Sequence, residues 1–182
     1  MKTVIIYIRG LNTKADSNWC GIRKFLKEEA AHLGADLIGL DYDDRAGLRG
    51  LEARLEKYDI IIGMGHSHGA AALYEWCKTT KRRLALAVFL DLCPEWKPLA
   101  WMGSGWPAPE NCDKVLVQYQ RNDKPLAGVR LRGENVQAFD VSKWGLHHSD
   151  MCADERVQCR IALAMGWSHA EALNAKNRTV TE

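Results

Sequence analysis

The sequence has no block of acidic or basic residues and almost no net charge. It carries 25 lysines and arginines against 23 aspartates and glutamates, which gives a formal charge of +2. A chain so close to neutrality builds no large electrostatic field that would attract nucleic acid or an anionic membrane surface. We therefore expect no nucleic-acid partner.

A long hydrophobic run is also lacking. No stretch approaches the roughly 20 apolar residues that cross a bilayer, so we expect no membrane span. The apolar run at residues 4–8 is too short for the core of a signal peptide and ends at Arg9. It fits a first β-strand, and we expect a cytoplasmic protein.

The cysteines form no C-x-x-C pair of the kind that marks zinc ribbons or redox centres. They are scattered at Cys20, Cys77, Cys93, Cys112, Cys152 and Cys159. In an intracellular protein such cysteines remain thiols, so we expect neither disulfides nor a structural metal.

Extended and helical patterns alternate along the chain. Apolar segments rich in β-branched residues predict strands at residues 4–8, 36–40, 59–64, 84–90, 115–119 and 136–141. Strands separated by helices favour parallel pairing through right-handed crossovers. We predict one α/β domain over residues 1–182, a three-layer sandwich with a mostly parallel sheet of about six strands. Ser168 and Glu171 resemble a capping box that opens a short last helix, and residues 174–182 are expected to form a flexible tail.

Residues 94–112 interrupt the alternation of strand and helix patterns. Four of the five prolines and the tryptophans Trp96, Trp101 and Trp106 fall between Pro94 and Glu110. A segment that is apolar but unable to form a long regular element is either a lid over a binding site or a surface crossover packed on the sheet. The pattern does not choose between the two.

The motif Gly65-His66-Ser67-His68-Gly69 is the most informative part of the chain. It follows the strand pattern at residues 59–64 and precedes a helical pattern that starts at residue 70. A serine between two glycines at a strand-to-helix turn is typical of a nucleophile elbow, which exposes the hydroxyl above the carboxyl end of the strand. Ser67 is therefore the candidate nucleophile.

A serine hydroxyl is a weak nucleophile and needs a histidine base with a carboxylate that orients it. The pair His147-His148 follows the sixth predicted strand, and either histidine can be the base. Asp123 follows the fifth strand, while Asp91 at the end of the fourth is a rival for the acid. All of these lie where the carboxyl ends of parallel strands meet, the edge at which such sheets bind ligands.

With Ser67, Asp123 and the histidine pair in this order, the chain resembles the α/β-hydrolase superfamily from residue 4 to about 165, without its two opening antiparallel strands or a large cap. The resemblance implies His148 as the base, because the residues after it fit the family pattern better. It also favours Asp123 over Asp91, since the Asn-Asp-x-Pro context resembles the usual acid loop.

The resemblance further implies a serine hydrolase that cleaves a carboxylic ester or thioester through an acyl-enzyme, without a cofactor or metal. The main-chain amides of Leu11 and His68 would form the oxyanion hole. Trp101, Met102 and Trp106 would line an apolar acyl pocket. The acyl group and the oligomeric state stay open.

Two other functions remain possible from the sequence. Histidines and carboxylates at strand ends can bind zinc or manganese, so a metal-dependent hydrolase could use the following residues. They are His66, His68, His147, His148 and Asp150. A hydrolase fold can also serve as a binding protein without turnover.

Overall fold

A parallel six-stranded sheet lies at the centre of the protein. The computed structural model describes residues 1–10, 22–94, 105–123 and 126–179, with side chains up to residue 172. The strands are Thr3–Arg9 (β1), Ala35–Asp41 (β2), Ile60–His66 (β3), Leu86–Leu90 (β4), Trp106–Pro107 (β5), Val115–Tyr119 (β6), Leu131–Arg132 (β7) and Val136–Asp140 (β8). The main sheet has the order β2-β1-β3-β4-β6-β8, and all its neighbouring strands are parallel. The predicted sheet is thereby confirmed.

Within the described residues, four α-helices cover the two faces of the sheet. They are Ile22–His32 (α1), Arg45–Leu55 (α2), His68–Thr79 (α3) and Glu155–Thr179 (α4). Leu51 of α2 and Leu73 of α3 belong to one buried cluster, whereas Leu26 of α1 and Ile161 of α4 belong to the other. The three-layer α/β sandwich predicted from the sequence is therefore the observed fold.

The inner strands are hydrophobic along their whole length because both their faces are covered. Every residue of β1, β3, β4 and β6 is buried. In β2 at one edge and β8 at the other, buried or partly buried positions mix with exposed ones. The burial pattern thus distinguishes the inner strands from the edges and fixes where the core lies.

The last helix differs from its prediction. α4 runs without interruption to Thr179, so Ser168 does not cap a separate helix, and residues 174–179 are helical where a tail is expected. Ser168 is only 3% exposed and extends the buried stripe of Ile161 and Met165. Glu171 pairs with Lys114 on the sheet side at 2.6 Å instead of closing a capping box. Burial of this continuous face outweighs the local capping signal.

The chain reverses its direction of winding between β1 and β3. β2 lies on one side of β1, whereas β3 and the later strands lie on the other side. In doubly wound sheets the two crossovers leave such a point in opposite directions and open a crevice at the carboxyl ends of the strands. Gly10 follows β1 and Ser67 follows β3 at this crevice.

Candidate active site

Ser67 occupies a strained turn between β3 and α3. Its φ of 58° and ψ of −127° lie in a region that side-chain-bearing residues rarely adopt. A Cβ on Gly65 would lie 2.6 Å from the Cα of Ala70, and one on Gly69 would lie 2.1 Å from the carbonyl oxygen of Ile8. Only glycine fits at these two positions, so the turn between β3 and α3 is as tight as the sequence motif predicts.

The end of β1 forms one wall beside the serine. A Cβ on Gly10 would lie 2.8 Å from the Cβ of Ser67, so the main chain there passes directly against the serine. Arg9, which stands before Gly10, is 3% exposed and forms an ion pair with Asp41 on the adjacent strand. Leu11, the expected second oxyanion donor, lies outside the described residues.

His148 connects the serine to a carboxylate. Its Nε2 lies 2.8 Å from the Oγ of Ser67, and its Nδ1 lies 2.6 Å from the Oδ2 of Asp91. The imidazole is 13% exposed and the Asp91 side chain is 0% exposed. Since a carboxylate only accepts, Nδ1 carries the proton and Nε2 faces the serine hydroxyl as an acceptor.

The carboxylate on this imidazole belongs to Asp91, which corrects the preference for Asp123. Asp91 directly follows β4, the neighbour of β3, and its φ of 44° lies in the left-handed region that residues with side chains rarely adopt. Its carboxylate also accepts from the main-chain N–H and the side-chain amide of Gln120, at 3.1 Å and 2.8 Å. A Cβ on Gly128 would lie 2.1 Å from Oδ1, so the loop after β6 closes over this carboxylate.

Asp123 instead contacts the histidine pair from the other side. One oxygen lies 2.6 Å from the Nδ1 of His147, and the other accepts the main-chain N–H of His148 at 2.5 Å. The hydrogen bond from His147 lowers the pKa of Asp123, and the same bond raises the pKa of His147. The His147 side chain is 57% exposed. Of the two candidate bases, His148 is the one placed on Ser67.

The structure gives His66 and His68 contacts that the sequence did not reveal. His66 is 3% exposed, and its ring stacks on that of His148 with 4.9 Å between centroids. Burial above all, and also the proximity of His148, lower the pKa of His66 to about 3. The Nδ1 of His68 lies 3.3 Å from the Oγ of Ser67. In the sequence, the feature that could have indicated a buried role for His66 is its position as the last residue of the otherwise apolar strand β3.

The proposed acyl-pocket residues are only partly described. Trp101 and Met102 lie outside the described residues. Trp106 is 8% exposed and packs on Tyr74 of α3, with 5.3 Å between ring centroids. The main-chain N–H of Trp106 donates to the main-chain carbonyl of Arg130 at 2.9 Å. Trp106 is therefore a core residue with little surface left for a ligand, contrary to its expected place in the pocket.

The described residues contain no group of three or more His, Cys, Asp or Glu side chains arranged to hold a metal ion. The five cysteines within the described ranges are free thiols, and Cys20 lies outside them. Cys93, whose N–H donates to the carbonyl of Ser67 at 3.3 Å, has a pKa raised to about 11 by burial and by Asp91. None of the described helices combines the length and apolar character that crossing a bilayer requires.

Comparison with known proteins gives little guidance on function. No family profile matches the chain, and no curated protein matches it. Among solved structures, it is similar to one described as "putative lipoprotein from Peptoclostridium difficile 630 (fragment)", at 13% identity over 91% of this chain and 99% of that chain, with a TM-score of 0.39. A similarity this low indicates no function for the chain.

Proposed function

We propose that the protein is a serine hydrolase that cleaves a carboxylic ester or thioester through an acyl-enzyme on Ser67. The observation that carries this proposal is the continuous hydrogen-bond chain from Ser67 through His148 to Asp91, with contacts of 2.8 Å and 2.6 Å. This series of hydrogen bonds begins at Ser67, whose backbone is strained and which lies in the crevice where doubly wound sheets bind ligands. Nucleophile, base and orienting acid are thus all in hydrogen-bond contact.

In the proposed reaction, the hydroxyl of Ser67 attacks the acyl carbonyl while its proton moves to the Nε2 of His148. Asp91 holds the Nδ1 proton and stabilises the imidazolium that results. As the tetrahedral intermediate collapses, the bond between the acyl carbon and the leaving group breaks, and a leaving alcohol takes the proton from His148. Water then attacks the acyl-enzyme with His148 again as base, which releases the acid and restores Ser67.

The oxyanion of the tetrahedral intermediate needs donors close to Ser67. We assign one of them to the main-chain N–H of His68, the first residue of α3, because the N-terminus of a helix favours negative charge. The second is assigned to Leu11 by resemblance to the α/β-hydrolases. Gly10 supports this assignment because it brings the main chain after β1 into contact with Ser67.

The substrate class follows from this chemistry, whereas the acyl group does not. A Ser-His-Asp chain with backbone oxyanion donors acts on acyl compounds without a metal or an organic cofactor. Chain-length preference depends on the shape of the pocket. Trp101 and Met102 remain predictions for its wall.

A panel of nitrophenyl esters and acyl thioesters of increasing chain length tests the proposal. We expect the wild type to turn over at least one member and Ser67→Ala to lose that activity. Ser168→Ala is the matched control, since it removes a buried hydroxyl of α4 for which the described residues provide no hydrogen-bond partner. Turnover that persists in Ser67→Ala would contradict the proposal, and so would a wild type inactive on every member.

A further inference from the structure

We infer that Asp123 and His66 are positioning residues that hold the base His148 through its main chain. The inference rests on the proposed function, in which His148 is the base. Asp123 accepts the main-chain N–H of His148 at 2.5 Å. The Nε2 of His66 lies 3.3 Å from the main-chain carbonyl oxygen of the same residue. The two contacts fix the peptide groups on both sides of the Cα that carries the base.

Such restraint is needed because His148 lies on irregular chain. It follows the short 3-10 helix Ser142–Trp144 and precedes α4, which begins at Glu155. Its ring must nevertheless contact both Ser67 and Asp91, within 2.8 Å and 2.6 Å. Misplacement of a reacting group by about 1 Å can cost about 100-fold in rate, so the main chain of this loop has to be held closely.

Asp123 is itself tied to the acid of the site. Its main-chain N–H donates to the side-chain oxygen of Gln120 at 2.8 Å, while the side-chain amide of Gln120 donates to Asp91 at 2.8 Å. Gln120 is 0% exposed. The buried side chain of Gln120 therefore links Asp91, which contacts the ring of His148, to Asp123, which contacts its main chain.

His66 is suited to the second contact because it stays neutral. A carbonyl oxygen only accepts, so the Nε2 of His66 carries a proton and donates. Burial lowers the pKa of His66 to about 3, which keeps it from competing with His148 for a proton at neutral pH. Its ring also stacks on that of His148, with an angle of 29° between the planes. Backbone and ring of the base are both in contact with His66.

Two variants of Asp123 and one of His147 test the role of Asp123. We expect Asp123→Ala to lower kcat about 10- to 100-fold with little change in KM. Asp123→Asn should recover most of this loss, because its side-chain oxygen can still accept from His148. His147→Ala is the matched control: it removes the other partner of Asp123, an exposed ring, and should change kcat less than about threefold.

The position of the base can be followed separately from activity. The Nδ1 proton of His148, hydrogen-bonded to Asp91, should give a downfield proton NMR signal in the wild type, in His147→Ala and in Asp123→Asn. It should broaden or disappear in Asp123→Ala. At the other contact, His66→Gln retains a donor and should keep more kcat than His66→Leu. Should Asp123→Ala fail to fold, the NMR signal and kcat of Asp123→Asn decide the role of Asp123, and loss of both would refute it, while the two His66 variants decide the role of His66.

The outcomes separate the inference from the function on which it rests. If Asp123→Ala keeps wild-type kcat and the downfield signal while Ser67→Ala is inactive, the positioning role is refuted and the hydrolase stands. Equal kcat in His66→Gln and His66→Leu would refute the role of His66 in the same way. If Ser67→Ala stays active, the proposed function itself fails.

Discussion

Replacing Asp91 by asparagine is the sharpest perturbation of the proposed site. Asp91 is 0% exposed, and the described partners of its carboxylate are all donors: the main-chain N–H and side-chain amide of Gln120, and the Nδ1 of His148. Asparagine has the same shape but one acceptor fewer. Whichever way its amide turns, a donor faces a donor, and the negative charge that stabilises the imidazolium is gone.

The expected cost is large because the imidazolium forms during the reaction. In Ser-His-Asp sites, loss of the orienting carboxylate lowers kcat by about 10⁴-fold, or about 5.4 kcal/mol in the activation barrier. Asp123→Asn should lose less than about tenfold, since its contact with His148 is to the main chain. The two variants carry the same substitution of aspartate by asparagine, one directly after β4 and the other in the loop after β6.

The assay is kcat/KM on the best ester of the panel, with thermal unfolding to confirm that both variants fold. We expect Asp91→Asn to be nearly inactive and Asp123→Asn to be active. If Asp91→Asn stays within tenfold of the wild type while Asp123→Asn is inactive, the assignment of the acid to Asp91 is refuted.

Three further predictions concern stability and cofactors. The pKa of His66 is about 3 in the fold and 6.5 in the unfolded chain. The unfolded chain therefore binds the proton more readily, and as the pH falls below 6.5 the free energy of unfolding should decrease by up to about 1.4 kcal/mol per pH unit. In urea titrations, His66→Gln should reduce the difference between pH 7 and pH 5 by about 2 kcal/mol, and an unchanged difference would argue against a neutral His66. Gly69→Ala, whose Cβ would meet the carbonyl of Ile8 at 2.1 Å, should destabilise the protein by about 3 kcal/mol. Gly50 lies in the exposed part of α2, and Gly50→Ala should stabilise the protein by about 0.5 to 1 kcal/mol in the same urea titrations. If both substitutions changed the free energy of unfolding equally, the close approach at Gly69 would be contradicted. Ester turnover should survive dialysis against a chelator, whereas a loss restored by zinc or manganese would favour a metal site.

The fold was largely predictable from the sequence because its signals are local. Continuous apolar runs mark the four inner strands, and the repeat that includes Ile22, Leu26 and Ala30 marks the buried face of α1. The predicted helix start at Ser168 was wrong because a local signal was overruled by packing along the whole helix. Local chemistry favoured a helix start there, but the buried stripe along α4 continues through this position.

Within the candidate site, Ser67 and the pair His147-His148 could be predicted because each follows a recognisable strand pattern. The choice between Asp91 and Asp123 could not be made in that way. Both carboxylates follow strands that are neighbours in the sheet, and both contact His148. Which of them reaches the ring depends on the backbone turn at Asp91 and on Gly128, which closes over it from a distant loop. No sequence pattern records that approach.

The most direct test of the account is covalent labelling of the nucleophile. The purified protein is treated with a fluorophosphonate, digested and analysed by mass spectrometry, in parallel with Ser67→Ala and with Asp91→Asn. We expect one adduct on the peptide that carries Ser67, no adduct in Ser67→Ala and much slower labelling in Asp91→Asn. A wild type that stays unlabelled, or one labelled at another residue, would contradict the proposal that Ser67 is an activated nucleophile.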